Sequence, residues 1–179
     1  MKRTIALAAM VASLGSVALA GPQYVDESGY AASGYDVVAF WSLSQNAVGQ
    51  AQPNAIPGNA SFTHDWNGAT WAFSTPENRD LFASAPERYA PQFDGHCAYG
   101  IAQGGKVPAN PNLWRIVDDK LYLNITPNVV GFWEEDIPGQ ITAAYENWKG
   151  LEVKPASERL WTAINANDGT YAGPAPVTN

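Results

Sequence analysis

Phe62, His64 and Trp66 recur at every second position along Ser61–Trp66, and the apolar run Ala69–Phe73 follows. That period of two marks a half-buried strand. Asn67-Gly68 lies between the two runs and suits a two-residue type I′ turn, so the stretch predicts a β-hairpin. Leu113–Val117 and Lys120–Asn124 predict a second hairpin around Asp118-Asp119, with Trp114 and Ile116 alternating with Arg115, and Leu121 and Leu123 flanking Tyr122. Helical signals follow each hairpin. Ser74-Thr75-Pro76-Glu77 offers a hydroxyl cap, a first-turn proline and a Ser74/Glu77 capping box; the helix it opens runs to about Ala83 with Leu81 and Phe82 toward the core. Pro86–Tyr89 adds a helical turn. Thr126-Pro127 opens a helix carrying Val129, Val130, Phe132 and Trp133, which Asp136-Ile137-Pro138 breaks. In the last helix Ile141, Tyr145 and Trp148 recur at i, i+4 and i+7, a core-facing stripe. Asp36 caps a short helix over Val37–Trp41. Beyond the two hairpins no internal repeat is legible.

These elements predict a small single α+β domain over residues 34–150, with two β-hairpins and several short helices. The ends read differently. Lys2 and Arg3 precede an uncharged apolar run, Thr4–Val17, and Ala18-Leu19-Ala20 gives a small-x-small cleavage pattern. Residues 1–20 therefore predict a secretory signal peptide, too short in its apolar part to span a bilayer. Residues 21–33 predict a loosely attached arm. Leu43–Asn59 reads as a loop. Residues 151–179 form an extension, with a small helix over Ser157–Ile164 presenting Leu160, Trp161 and Ile164, and a disordered end.

Charge narrows the partners. Of 10 Lys and Arg, two lie in the leader; the remaining 8 stand against 17 Asp and Glu, a formal net charge of −9. Phosphate backbones and anionic lipid would repel such a chain, so neither nucleic acid nor, after leader cleavage, a membrane is expected as partner. The expected location is periplasmic or secreted. The expected partner is a metal ion or a small molecule; the oligomeric state is not read from the sequence.

Candidate chemistry concentrates in Phe93–Gly100, where Gly95 and Gly100 bracket the only cysteine, Cys97, and one of two histidines, His96. One cysteine cannot close an internal disulfide in an oxidising compartment. If Cys97–Gln103 forms a short helix stopped by Gly104-Gly105, Cys97 sits in its first turn, where free N–H groups favour a thiolate. Three readings follow. In the first, a transition metal, copper or zinc, is held by Cys97, His96 and His64, the last of which shares a strand face with Phe62 and Trp66. The second is a non-metal ligand-binding or structural module with Cys97 buried. The third is a thiol redox protein using Cys97 with an external thiol, since no resolving cysteine is present. No nucleophile elbow, P-loop or dinucleotide fingerprint appears, Glu134-Glu135-Asp136 reads as a solvated face, and an enzyme is not expected.

Several blocks together are similar to the exported, single-domain YHS-domain proteins of bacteria: Gly34–Phe40, Trp71–Arg79, Phe82 through Pro86–Tyr89, Pro91-Gln92, Cys97-Ala98-Tyr99-Gly100, Trp114–Val117, Lys120–Asn124, Asp136-Ile137-Pro138 and Asn147-Trp148. The resemblance implies a small α+β domain. It also implies heavy-metal handling, chiefly of copper, and its shorter members resemble cysteine-rich metal modules. This chain departs from them near Asp36-Val37-Val38 and near Phe73–Asn78, where those modules carry cysteines. Longer members often look like Gly-Tyr-Cys-Ala-Tyr-Gly where this chain has Gly95-His96-Cys97, so His96 is particular to this chain.

Overall fold

The computed structural model describes residues 22–158 and Val177. The expected signal peptide, all of the helix expected over Ser157–Ile164 except its first two residues, and, Val177 apart, the end expected to be disordered lie outside the described residues. Those described form a small α+β domain with two antiparallel hairpins and five α-helices. β1 (Asn59–Trp66) pairs with β2 (Ala69–Phe73), and β3 (Asn110–Val117) with β4 (Lys120–Asn124). The helices are α1 (Pro76–Ser84), α2 (Pro86–Tyr89), α3 (Ala98–Ala102), α4 (Pro127–Glu134) and α5 (Ile137–Leu151). Among the described residues no helix is long and apolar enough to cross a membrane.

The chain traces one path twice, well beyond the two hairpins. Ala32-Ser33-Gly34 and Phe93-Asp94-Gly95 form turns with positive φ throughout, 49, 52 and 77° against 59, 52 and 76°. The Tyr35 amide then bonds Ala32 O at 3.0 Å, as the His96 amide bonds Phe93 O at 3.0 Å. Asp36 N–H donates to Ile56 O, and Cys97 N–H to Val107 O. Ala31 N–H donates to Thr70 O, and Gln92 N–H to Leu121 O. Both hairpins break register at the same place, between Asn59 and Thr63 and between Asn110 and Trp114. Each ends in a Thr-Pro helix start, with the Thr75 and Thr126 hydroxyls accepting from Asn78 N and Val129 N. Phe82 and Trp133 are buried at matching positions, while Leu81 and Phe132 are exposed. Matching positions are 61 apart as far as Ser42 and Gln103, and 51 apart from Ile56 and Val107 onward. The first half therefore carries ten more residues in one loop.

Local expectations need several corrections. The cap of α1 is Thr75; Ser74 is drawn away, its amide and hydroxyl both bonding Asp36 Oδ2. Leu81 points outward, 47% exposed, because Phe82 takes the core position. The arm is packed rather than loose. Tyr24 is buried and its amide donates to Asp94 O at 2.8 Å, while Val25 bridges Ala31. Leu151 ends α5 and is buried, so the extension begins later than expected.

Asp36 is fully buried and ties the first half together. Its Oδ1 accepts from the Val38 and Ala39 amides at 2.9 and 3.2 Å. Its Oδ2 accepts from Ser74 N, Ser74 Oγ and Asn78 Nδ2 at 2.8, 2.6 and 2.7 Å. A buried acceptor with five donors stabilises because removing it strands all of them. Asp36→Ala is expected to lower the unfolding free energy by about 3 kcal/mol or more, and Ser74→Ala by about 1 kcal/mol, read from urea midpoints. Equal losses from the two variants would show that the carboxylate is not the hub.

Candidate functional site

Cys97 is the N-cap of α3, one position before the first turn expected for it. Its Sγ accepts from the Gly100 amide at 3.4 Å and donates to Asn124 Oδ1 at 3.5 Å. Asn124 Oδ1 also accepts from the Tyr99 amide at 3.1 Å. Cys97 has no exposed surface. Burial pushes its thiol up to about 11, although the amides of Gly100, Ile125 and Tyr99 pull the other way. The helix-start effect expected to favour a thiolate is outweighed by desolvation, and the group is a neutral thiol at pH 7.

His96 precedes Cys97 but serves another cluster. Both residues have extended backbone, with ψ of 161° and 118°, so successive side chains point to opposite sides. Cys97 joins the core with Phe82, Trp114 and Leu123. His96 packs on Tyr24 and Trp148, ring centroids 5.6 and 6.5 Å away. Its Nδ1 lies 2.9 Å from Phe93 O and its Nε2 accepts from Ser157 N–H at 3.1 Å. Nδ1 therefore carries the hydrogen, and neither ring nitrogen has a spare lone pair. Burial drives its pKa down to about 4. His64 sits on β1 with its ring 6.1 Å from Phe82. The three expected ligands thus lie in separate settings, and among the described residues no three His, Cys, Asp or Glu side chains cluster as a metal site. Cys97, a buried thiol, and His96, with both ring nitrogens engaged, do not together fit a copper or zinc ion, and His64 lies on another element, β1.

Asp94 lies beside His96 in a buried polar cluster. Gln23 Nε2 donates to its Oδ1 at 3.0 Å, while Asp94 Oδ2 and Gln23 Oε1 are buried without a partner. Burial raises Asp94 to about 6, Lys106 opposing and Glu152 reinforcing the shift. Lys106 Nζ donates to the Glu152 and Lys154 carbonyls and lies 5.0 Å over the Trp148 ring.

A cavity of about 230 Å³ lies elsewhere, between the long loop 43–57 and the second hairpin with α4. Leu113, Trp114, Pro127, Val130 and Gly131 form much of its wall. The loop is fixed along β3. Gln45 pairs with both backbone groups of Ile116, Pro53 O accepts from Trp114 Nε1 at 2.8 Å, and Asn112 Oδ1 accepts from Ala55 N at 2.9 Å. Beneath it Arg115 and Glu134 form an ion pair, each side chain 7% exposed. Arg115 also donates to the Asn46 and Ala47 carbonyls, and Gly49 N–H donates to Glu134 Oε2 at 2.7 Å. Glu134 is thus not part of a solvated face; the loop folds over it and Arg115 neutralises it. Arg115 between Trp114 and Ile116 reads from sequence as an outward residue, and only the loop's return over β3 buries it.

No family model matches the chain, and neither a curated protein nor a solved structure matches it.

The polar cluster makes a pH test. His96 takes its proton near pH 6.5 when unfolded but near 4 when folded, so its contribution is full above 6.5 and lost as pH falls toward 4. Asp94 loses its proton near 3.8 when unfolded but near 6 when folded, so its contribution is full below 3.8 and lost as pH rises toward 6. The two slopes oppose one another over one window. Relative to the parent, Asp94→Asn is expected to lose thermal stability as pH drops from 6.5 to 4, and His96→Gln to lose it as pH rises from 4 to 6. Profiles parallel to the parent in both variants would refute the assignment.

Proposed function

We propose that this chain is an exported, non-metal binding module in which Cys97 is a structural acceptor and donor, not a ligand or nucleophile. One observation carries the reading: Cys97 stands where the first half has Asp36. In both halves a side chain at this position gathers amides from the following helical turn. Asp36 takes those of Val38 and Ala39; Cys97 takes that of Gly100, while those of Tyr99 and Ile125 act on its thiol against the effect of burial. The Ile125 amide corresponds to that of Ser74, which bonds Asp36. A thiol suits the second position because Asn124 Oδ1 faces it, and a thiol can donate there whereas a carboxylate cannot. Redox use of Cys97 fits poorly with a buried, neutral sulfur. The apolar leader run with its cleavage pattern, and the likeness to exported YHS-domain proteins, support an extracytoplasmic location.

The metal reading is tested directly. Titration of the reduced protein with Cu(I) and Zn(II), beside Cys97→Ser and His96→Ala, is expected to show no stoichiometric site in any of the three. A disulfide-exchange reagent is expected to label Cys97 only as fast as the protein opens, and at the free-thiol rate in urea. One equivalent of metal bound tightly by the parent and lost in Cys97→Ser, or rapid native labelling, would overturn the proposal.

A further inference from the structure

The two halves are built alike, so the places where they differ bear on function. The largest difference is the ten-residue excess in loop 43–57, which the second half replaces with a short Gly-rich connection into β3. That loop leaves its own half and lies over β3 and α4 of the other. Two side chains that hold it, Arg115 and Glu134, match His64 and Ala83 in the first half, so the ion pair belongs to the second half alone. A third difference is Gly131, in the middle of α4, matching Asp80 in α1. A Cβ at Gly131 would meet nothing within 4 Å, so neighbouring atoms do not require a glycine there. Mid-helix glycine without a packing reason weakens a helix. The loop, the ion pair and the glycine converge on the one cavity described above.

We infer that this cavity is a binding site for a small, uncharged, largely apolar molecule, of the size of a one- or two-ring aromatic. This rests on the non-metal reading of the chain and names its site. Size sets the upper limit, because about 230 Å³ is less than the pockets that hold drug-sized ligands. The lining sets polarity. Leu113, Trp114, Pro127 and Val130 present apolar surface. Most polar side chains there are already occupied: Glu134 by Arg115 and the Gly49 amide, Asn112 Oδ1 by the Ala55 amide, and Gln52 by Asn46 and the Gln50 carbonyl; Gln50 itself is exposed at the rim. A charged ligand would shed part of its hydration shell and find no opposite charge in return, since Glu134, the one charged lining residue, is already paired with Arg115. Trp114 is held by its bond to Pro53 O and by packing on Phe40, so the little of it that faces the cavity is a fixed apolar floor. The open side at Gly131 gives the ligand a way in.

The test is an NMR titration of the full chain with indole and, separately, with indole-3-acetate, following the Trp114 indole N–H and the Gly131 amide. Gly131→Leu places a side chain at the cavity mouth and removes a helix-weakening glycine; Val130→Trp fills the cavity from its wall. Gly150→Leu is the control, also in a helix with open space at its Cβ but away from the cavity. Indole is expected to saturate shifts at Trp114 and Gly131 in the parent and in Gly150→Leu. Binding should be at least about tenfold weaker in whichever blocking variant keeps the parent's amide spectrum elsewhere, and indole-3-acetate about tenfold weaker than indole in the parent. Absence of saturable shifts at these two groups, or undiminished binding in a folded blocking variant, would overturn the site. Equal affinity for the two probes would overturn the ligand class. If indole fails while copper, zinc and the thiol reagent also leave the native protein untouched, the cavity assignment falls and the non-metal reading stands.

Discussion

The Asp36 carboxylate organises the first half of this protein. A buried charge is costly unless every lone pair finds a donor. Asp36 meets that condition with five donors drawn from three places: the turn it starts, the end of β2 and the first turn of α1. These are also the places where the chain changes direction. With the carboxylate in position, the hairpin cannot slide against the 3-10 turn at Ala39–Ser42, and α1 cannot swing away from β2. Phe73 and Phe82, one on each side of that junction, can then pack with ring centroids 5.1 Å apart. The hydrophobic core supplies most of the favourable free energy, but the carboxylate selects which arrangement of the core is reached.

The second half solves the same problem with weaker chemistry. Sulfur hydrogen bonds are longer and softer, and Cys97 has neither a serine hydroxyl nor an asparagine amide to help it, since Ile125 and Val129 stand where the first half has Ser74 and Asn78. Compensation comes from α5. Asn147 on that helix donates to the Ile101 and Ala102 carbonyls, closing the C-terminal end of α3. The same helix brings Trp148 against Phe93 and His96. Helix α2, which follows α1 in the first half, is a single turn, while its counterpart runs to Leu151 and makes a second hydrophobic cluster with Ile101, Trp133 and Tyr122.

Much of the fold was legible in the sequence because it is dictated locally. Asn67-Gly68 and Asp118-Asp119 adopt the positive φ their turns need, and both Thr-Pro pairs cap the helices they were expected to open. The doubling is not legible in the sequence, for a physical reason. The halves share only Gly34/Gly95, Pro57/Pro108, Asn59/Asn110, Thr75/Thr126 and Pro76/Pro127, which govern backbone geometry, while the side chains between them change freely. The site was less legible than the fold. Adjacency of His96 and Cys97 suggested a shared ligand pair, yet an extended backbone sends adjacent side chains apart. Arg115 and Glu134 looked like surface charges because nothing local says that a loop seventy residues upstream returns to cover them.

That returning loop shows how a buried ion pair can shape a surface. Burying Arg115 and Glu134 alone would cost more than their attraction returns. Here the loop supplies the missing partners, two carbonyls for the guanidinium and an amide for the carboxylate. The dependence is mutual. The charges need the loop to be satisfied, and the loop, with Gln and Asn spaced along it, is held on its path in part by the charges. Its own cross-links, Asn46 to Gln52 and to Ala51 O, stiffen it without tying it down. A purely hydrophobic anchor would have closed the loop onto α4 and filled the space. A polar anchor at one edge, with hydrogen bonds to β3 along its length, holds the loop off the helix and leaves a cavity in which Leu113, Pro127 and Val130 face Glu134, Asn112 and Gln52 side chains that are already engaged.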